Sequence, residues 1–271
     1  MLIADLAVSR RLERTEAHAN ASFVESRARL APATGATWTD VDGAWAMYDG
    51  VGSPLTQSFG MGLYAPATNT QIERLTRFFD ERGADSAHEV SPLADAAALP
   101  LLAAHGYQVI EWTTVLAQEL TRRMVAGEPS SALPVRAVSV HEAEHWSQVA
   151  AEGWGEQPEL GSFMRELGRV NARAEGTVCF LVEEHGTAIA AGSLHLHDGV
   201  ALLAGASTIP RWRGRGAQRA LLEARLQFAR EHGCDLAMMG AAPGSGSQRN
   251  AQRAGFSVAY TRLKWARPHR A

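Results

Sequence analysis

The stretch from Ala206 to Leu222, Ala-Ser-Thr-Ile-Pro-Arg-Trp-Arg-Gly-Arg-Gly-Ala-Gln-Arg-Ala-Leu-Leu, constrains the fold of this chain more than any other. Val200 to Thr208 is an apolar run that reads as a strand. Pro210 ends its ladder because proline has no N–H to donate, and an Arg/Gly-rich turn then passes directly into an amphipathic helix. A helix start leaves backbone N–H groups without intrahelical partners and carries the positive end of the dipole. Gly214 and Gly216 let an anion approach that main chain, and Arg213 and Arg215 add charge. Strand, basic glycine turn and helix together predict an anion cradle. The Gly-Lys-Ser/Thr of a triphosphate loop and the Gly-x-Gly-x-x-Gly of a dinucleotide fingerprint are both missing, so another anionic ligand is required. The plainer alternative is a surface turn whose arginines solubilise a helix start.

A chain of 271 residues, 46% hydrophobic, is long enough for one large or two ordinary domains with real cores. The formal net charge of −3 gives no global basic field, so neither nucleic acid nor a membrane surface is an expected partner. Cys179 and Cys234 match no zinc spacing and are expected as buried free thiols; no metal is expected. Charge at Asp5 and Arg10 interrupts any signal-peptide core, and no run reaches the roughly 18 apolar residues a membrane helix needs. A cytoplasmic protein is expected.

Along the chain, helices are expected over 5–30, 71–82, 95–105, 140–149, 158–172, 217–232 and 247–254. Strands are expected over 55–63, 84–90, 107–120, 177–183, 187–195, 200–208, 235–240 and 256–265. On the helix after the turn, Ala217, Leu221, Ala224 and Phe228 form the apolar stripe, widened by Leu222, Leu226 and Ala229. Small residues and prolines over 126–134 mark a linker. The order of elements repeats across it: Asp49-Gly50-Val51 recurs as Asp198-Gly199-Val200, Gly83 as Gly233, and Gly106-Tyr107 as Gly255-Phe256, at a spacing of 149 or 150. The sequence therefore predicts two tandem α/β domains, each a mixed central sheet flanked by helices, over 1–124 and 135–271, with 125–134 between them.

Arg213-x-x-Gly216 after a strand ending in x-x-Pro, followed by a Leu-Leu helix, resembles the pyrophosphate-binding signature of the GCN5-related N-acetyltransferases. The resemblance implies that the turn holds the pyrophosphate of acetyl-CoA and that the preceding strand pairs with the pantetheine arm. It assigns cofactor contacts to Ser207, Thr208, Arg213, Gly214, Arg215, Gly216, Ala217, Gln218 and Arg219, and one to Asn250 on the last helix. Gln218 departs from the signature, which ends in a small residue. At the repeat offset the turn corresponds to Tyr64-Ala65-Pro66-Ala67, which has lost its charge, both glycines and one backbone donor. The first domain is therefore expected to be a degenerate copy.

By the same resemblance, an amine attacks the thioester and a backbone N–H of the central strand binds the oxyanion. The tyrosine that commonly protonates the leaving thiolate is replaced by Ala251; Ser245, Ser247 and Tyr260 are alternatives that read better as a helix cap or a strand aromatic. Candidate bases are His141, Glu144, His145, His195 and His197, and no catalytic residue is assigned among them. Trp154 reads as a packing residue, with a place in an access loop as the alternative. The function expected is direct acetyl transfer from acetyl-CoA to a primary amine of a small molecule or peptide. The competing expectation is a sensor that binds acyl-CoA without turning it over.

Overall fold

Asp5 accepts a hydrogen bond from Val8 N–H at 2.8 Å and so starts the first helix, α1 (Leu6–Leu30). There follow β1 (Thr37–Val41), β2 (Ala44–Tyr48), β3 (Gln57–Phe59), α2 (Asn69–Asp80), β4 (Ser86–Val90), α3 (Ala98–Ala104) and β5 (Gln108–Glu119). The second run comprises β6 (Val135–Ala137), α4 (Ala143–Glu152), α5 (Gly161–Asn171), β7 (Thr177–Glu184), β8 (Thr187–His197), β9 (Val200–Thr208), α6 (Ala217–Glu231) and β10 (Leu236–Ala241). The chain closes with α7 (Gly246–Arg253) and β11 (Ser257–Arg267). The computed structural model describes residues 4–120, 133–155 and 161–269; most of the expected linker, at 121–132, lies outside them.

The fold is mixed α/β and the described residues divide into two units, Met1–Gln118 with Met239–Ala271, and Glu119–Met238. In the first, the sheet order is β1-β2-β3-β4-β11-β5. β3 and β4 are parallel, and β11 is antiparallel to both β4 and β5. The last strand thus completes the sheet begun by the first hundred residues, although the sequence repeat had grouped it with the second half. On one face Ile72, Leu75 and Phe79 of α2 and Leu102 of α3 pack with Val41, Ala46 and Val90. The strand expected over 55–63 shrinks to Gln57–Phe59 because Gly60 and Gly62, at φ +90° and +71°, turn the backbone where a strand would continue.

The other face carries α1 and a buried ionic cluster. Arg262 of β11 donates to Glu89 of β4 at 2.9 Å and to both carboxylate oxygens of Glu16 at 2.7 Å. It also lies 3.4 Å from Glu13, which accepts from the Tyr260 hydroxyl at 2.8 Å. Three acids surround one cation. Burial drives the Glu13 carboxyl up to about 7, Glu16 and Glu89 add repulsion, and the attraction of Arg262 does not offset them.

In the second unit the order is β10-β9-β8-β7-β6. Cys179 and Leu181 of β7 face Trp146 and Val149 of α4, while Phe180 and Val182 face Ala217 and Leu221 of α6. A sheet covered on both sides explains why β7 to β9 read as near-continuous apolar runs. The three-residue β6, absent from the sequence reading, pairs with β7 through Val135 to Ala137. Ser245, not Ser247, caps α7, accepting from Gln248 N–H at 3.2 Å.

Glu13 binds its proton more tightly folded than unfolded, where it titrates at the ordinary 4.5, so its contribution to stability is lost as pH rises from about 4.5 through about 7. Glu13→Gln should therefore be more stable than the parent at pH 8, by at most about 3 kcal/mol, and lose that advantage at pH 5. Urea unfolding of both proteins across this range measures it. An identical pH dependence in the two would show that Glu13 is not held protonated.

Candidate functional site

Parallel pairing of β9 with β10 runs from Val200–Leu236 to Leu202–Met238 and stops, while β9 continues to Thr208. Beyond the last pair, Ala204, Gly205 and Ala206 are exposed in a strand otherwise buried. On its other edge β9 pairs Ser193 with Ala204 and Ala191 with Ser207. Gly192 therefore faces two residues, Gly205 and Ala206, in a β-bulge, and Gly205 takes φ +59°. The central strand thus presents an open main-chain edge.

β9 leads through a short 3-10 turn (Pro210–Trp212) into the glycine turn. Gly214 and Gly216 hold φ +79° and +86°, a left-handed backbone that excludes most side chains, and a Cβ on either would meet nothing within 4 Å. Gly216 is the N-cap of α6 and contributes no side-chain cap. The first helical bond joins Ala220 N–H to Gly216 C=O, so the N–H groups of Ala217, Gln218 and Arg219 precede the ladder. Uncapped donors beside open space are what an anion requires.

The expected cofactor residues are brought together in sequence order around this turn, but several side chains serve the fold. Arg213 donates to Thr208 C=O at 3.3 Å and to Gly153 C=O at 3.1 Å, fastening the turn to β9 and to the end of α4. Arg215 lies over the Trp212 ring at 4.8 Å and pairs with Glu184 at 3.0 Å. Arg219 pairs with Glu223 one helical turn on, at 2.9 Å. The Gln218 amide donates to Thr208 Oγ1 at 2.7 Å, tying the first turn of α6 to the strand. Ser207 Oγ donates to Ala150 C=O at 2.8 Å. None of these side-chain bonds uses the N–H groups of Ala217, Gln218 or Arg219. Asn250 is exposed on α7 and belongs to the first unit.

At the corresponding place in the first unit the donors are already used. The Asp95 carboxylate accepts from Ala67 N–H at 3.0 Å and from Ala97 N–H at 3.1 Å. Thr68 caps α2 by accepting from Gln71 N–H at 3.1 Å. Ala67 stands where Gly216 stands in the repeat. The chain's own carboxylate and hydroxyl serve there as ligands of the helix start.

His141, Glu144 and His145 are exposed on and before α4, and Glu144 pairs with Arg165 at 2.6 Å and Arg169 at 3.1 Å. These pairs edge an open cleft of about 730 Å³ between α4 and α5 that Gln148, Glu152 and Ser162 also line. His195 is buried, its Nδ1 3.2 Å from Thr177 Oγ1, and His197 is half-buried at the end of β8. Trp154, expected to pack, is instead 44% exposed after α4. Tyr260 is committed to Glu13, Ala251 is buried, and Ser247 is exposed. Both cysteines are buried and free of disulfides, and burial pushes the Cys179 thiol up to about 12. Among the described residues no cluster of acids, histidines and cysteines could hold a metal, and no helix is long and apolar enough to cross a membrane.

The sequence reading missed Arg225. This residue of α6 is buried against β8 and β9, its Nε donating to Leu221 C=O at 3.2 Å. Its spacing of four from Leu221 and from Ala229 was the available signal, a cation on the apolar stripe.

Residues 140–256 match the family model described as the acetyltransferase (GNAT) family. A GCN5-related N-acetyltransferase from Kribbella flavida has a similar fold, with TM-score 0.67, 17% identity and 96% of each chain covered. One from Sphaerobacter thermophilus gives 0.55 at 18% identity, over 84% of this chain and 78% of that one. A tandem GNAT protein from the clavulanic acid biosynthesis pathway gives 0.58 at 14% identity, over 84% and 83%. No curated protein matches the chain in sequence.

A Cβ on Gly153 would collide with the side chain of Ser207. Gly153→Ala should therefore displace the end of β9 and lower stability by about 1–3 kcal/mol. Adding Ser207→Gly should recover part of that loss, which a double-mutant cycle by chemical denaturation measures. Strict additivity would mean that the two positions do not press on each other.

Proposed function

We propose, from the match of residues 140–256 to the GNAT acetyltransferase family model, that the protein is an acyl-CoA-dependent N-acetyltransferase whose active part lies within the matched residues. The fold supports acetyl transfer from acetyl-CoA in general. The finer reading is that acetyl passes directly to a primary amine of a small molecule or peptide. The observation that carries it is the pairing of two kinds of unused main chain: the N–H groups at the start of α6 and the edge of β9 past Leu202.

On this reading the pyrophosphate lies on the N–H groups of Ala217, Gln218 and Arg219, admitted by Gly214 and Gly216. The pantetheine amides pair with β9 beside Ala204 to Ala206, as an added strand would. That pairing brings the thioester to the open stretch of the strand. The amine arrives largely protonated, since a lysine-like amine has a pKa of about 10.4, and must lose a proton before it attacks. Its nitrogen then bonds to the thioester carbon, the carbonyl oxygen takes the π pair, the C–S bond breaks, and the thiolate leaves to be protonated. Arg213, bound to neutral carbonyls, keeps its full charge beside the phosphates, while Arg215 and Arg219 share theirs with Glu184 and Glu223.

Release of CoA across a panel of amines, followed with a thiol reagent, tests the activity. Gly216→Asp places a carboxylate at a left-handed position in the anion seat, and acetyl-CoA affinity should fall by at least about tenfold, given strain of order 1–3 kcal/mol plus repulsion. Arg213→Lys should also weaken binding, since an ammonium cannot span the Thr208 and Gly153 carbonyls. Normal turnover in Gly216→Asp would remove the turn from the site.

A further inference from the structure

Arg225 is 4% exposed and presents its charge to main chain alone in the contacts seen here. Besides Leu221 C=O in its own helix, one terminal nitrogen donates to Ser193 C=O on β8 at 2.9 Å and to Ala204 C=O on β9 at 3.3 Å. Burial lowers its pKa to about 10, which leaves it charged at neutral pH. Taking a cation out of water without an opposing ion is costly, and an apolar side chain of similar length would fill the same space at lower cost. A Cβ on Gly192 would lie in ordinary contact with the guanidinium, at 3.4 Å, so the guanidinium lies directly against the bulge.

The partners explain the location. Ala204 C=O also accepts from Ser193 Oγ at 3.2 Å, and that hydroxyl accepts from Asn171 Nδ2 at 3.2 Å. The Ala204 carbonyl is thus directed at β8. No peptide bond among the described residues is cis, so the N–H of the same peptide unit, that of Gly205, points the opposite way. That is the side from which β10 has departed after Leu202. Donors on a carbonyl polarise its peptide unit and strengthen the N–H at the other end.

We propose that Arg225 is a positioning residue: from α6 it grips the Ala204 carbonyl and thereby aims the Gly205 N–H, as a polarised donor, into the open edge of β9 to receive the oxyanion of acyl transfer. The inference rests on the acetyl-transfer reading for the identity of the oxyanion, and on the bulge alone for the aiming. Arg225 touches neither substrate nor reacting atoms. When the amine nitrogen bonds to the thioester carbon, the carbonyl electron pair moves onto oxygen and the Gly205 N–H stabilises it. When the tetrahedral species collapses, the oxygen pair re-forms the C=O bond, the C–S bonding pair leaves on the thiolate, and the thiolate takes up a proton.

Two readouts separate the aiming from the chemistry, both on the full-length chain. In Arg225→Met, amide hydrogen exchange over 200–208 should quicken while α4 and β7 keep the parent's rates. With an amine that the parent acetylates, kcat should drop by about 10- to 100-fold, less than the full loss of an oxyanion donor, and KM for acetyl-CoA should stay within about threefold. Arg225→Lys should recover part of kcat. Arg225→Lys keeps the charge but lacks the planar fork that reaches the Ser193 and Ala204 carbonyls, should quicken exchange over 200–208 to a smaller degree, and serves if the methionine variant does not fold. Unchanged exchange over 200–208, an unchanged kcat, or a rise in KM at constant kcat would each overturn the role of Arg225. A parent protein that neither binds acetyl-CoA nor releases CoA would instead refute the acetyl-transfer reading, and the exchange data would still decide whether Arg225 sets the bulge.

Discussion

Parallel pairing between β9 and β10 ends at Leu202, and from there the chain has to account for peptide groups that the sheet no longer satisfies. A buried N–H without a partner costs as much as a lost hydrogen bond, so peptide groups that leave the ladder have to be exposed or bound. Exposed backbone occurs here twice in succession, along Ala204 to Ala206 and again in the glycine turn before α6. Two left-handed glycines and a proline keep the second set from closing on itself. Arg213 then holds the Thr208 and Gly153 carbonyls and Gln218 the Thr208 hydroxyl, which ties the turn to β9 and α4.

The first unit solves the same accounting internally. Its equivalent helix has a side-chain cap in Thr68, its turn receives the Asp95 carboxylate, and Pro66 has no N–H to offer. Between its sheet and α1 it carries Arg262 among three acids, one of which burial keeps protonated near neutrality. Replacing a buried ionic cluster with apolar side chains is often neutral or stabilising, so stability alone does not account for it. What it does supply is register. Arg262 and Tyr260 can meet Glu89, Glu16 and Glu13 together in one alignment only, and a one-residue slip of β11 would turn both away from α1.

Much of this was legible in the sequence, for reasons that differ by element. The turn, its glycines and the helix after it were visible because φ constraints and missing caps are local properties of residue type. The repeat showed because glycines at helix ends recur wherever a backbone must go left-handed, as Gly83, Gly106, Gly233 and Gly255 all do. Where β11 would insert was not visible: strand order depends on partners a hundred or more residues away, and Gly255-Phe256 looks the same whichever sheet the strand joins. The strand expected over 55–63 overruns Gly60 and Gly62, whose left-handed backbone starts a turn. Ser245 and Ser247 differ as caps by two residues, a distinction that rests on backbone angles.

The member missing from the apolar stripe of α6 concerns the chemistry most. The stripe through Ala217, Leu221, Ala224 and Phe228, widened by Leu222, Leu226 and Ala229, is the packed side, with Ala217, Leu221, Leu226 and Ala229 buried and Phe228 against the core, but Arg225 is buried on the same side. The omission has a physical origin. Amphipathic pattern counts the side chain's preference for water and leaves out the sheet's unmet carbonyls, which can make a buried guanidinium tolerable where the partner strand is bulged. Two glycines at that bulge, Gly192 and Gly205, were the matching signal in the strands, since a glycine inside an apolar strand marks either a weak point or a close approach by another group. Taken together, a cation on a helix's apolar line and glycines on the strands beneath it specify a main-chain distortion held from one side.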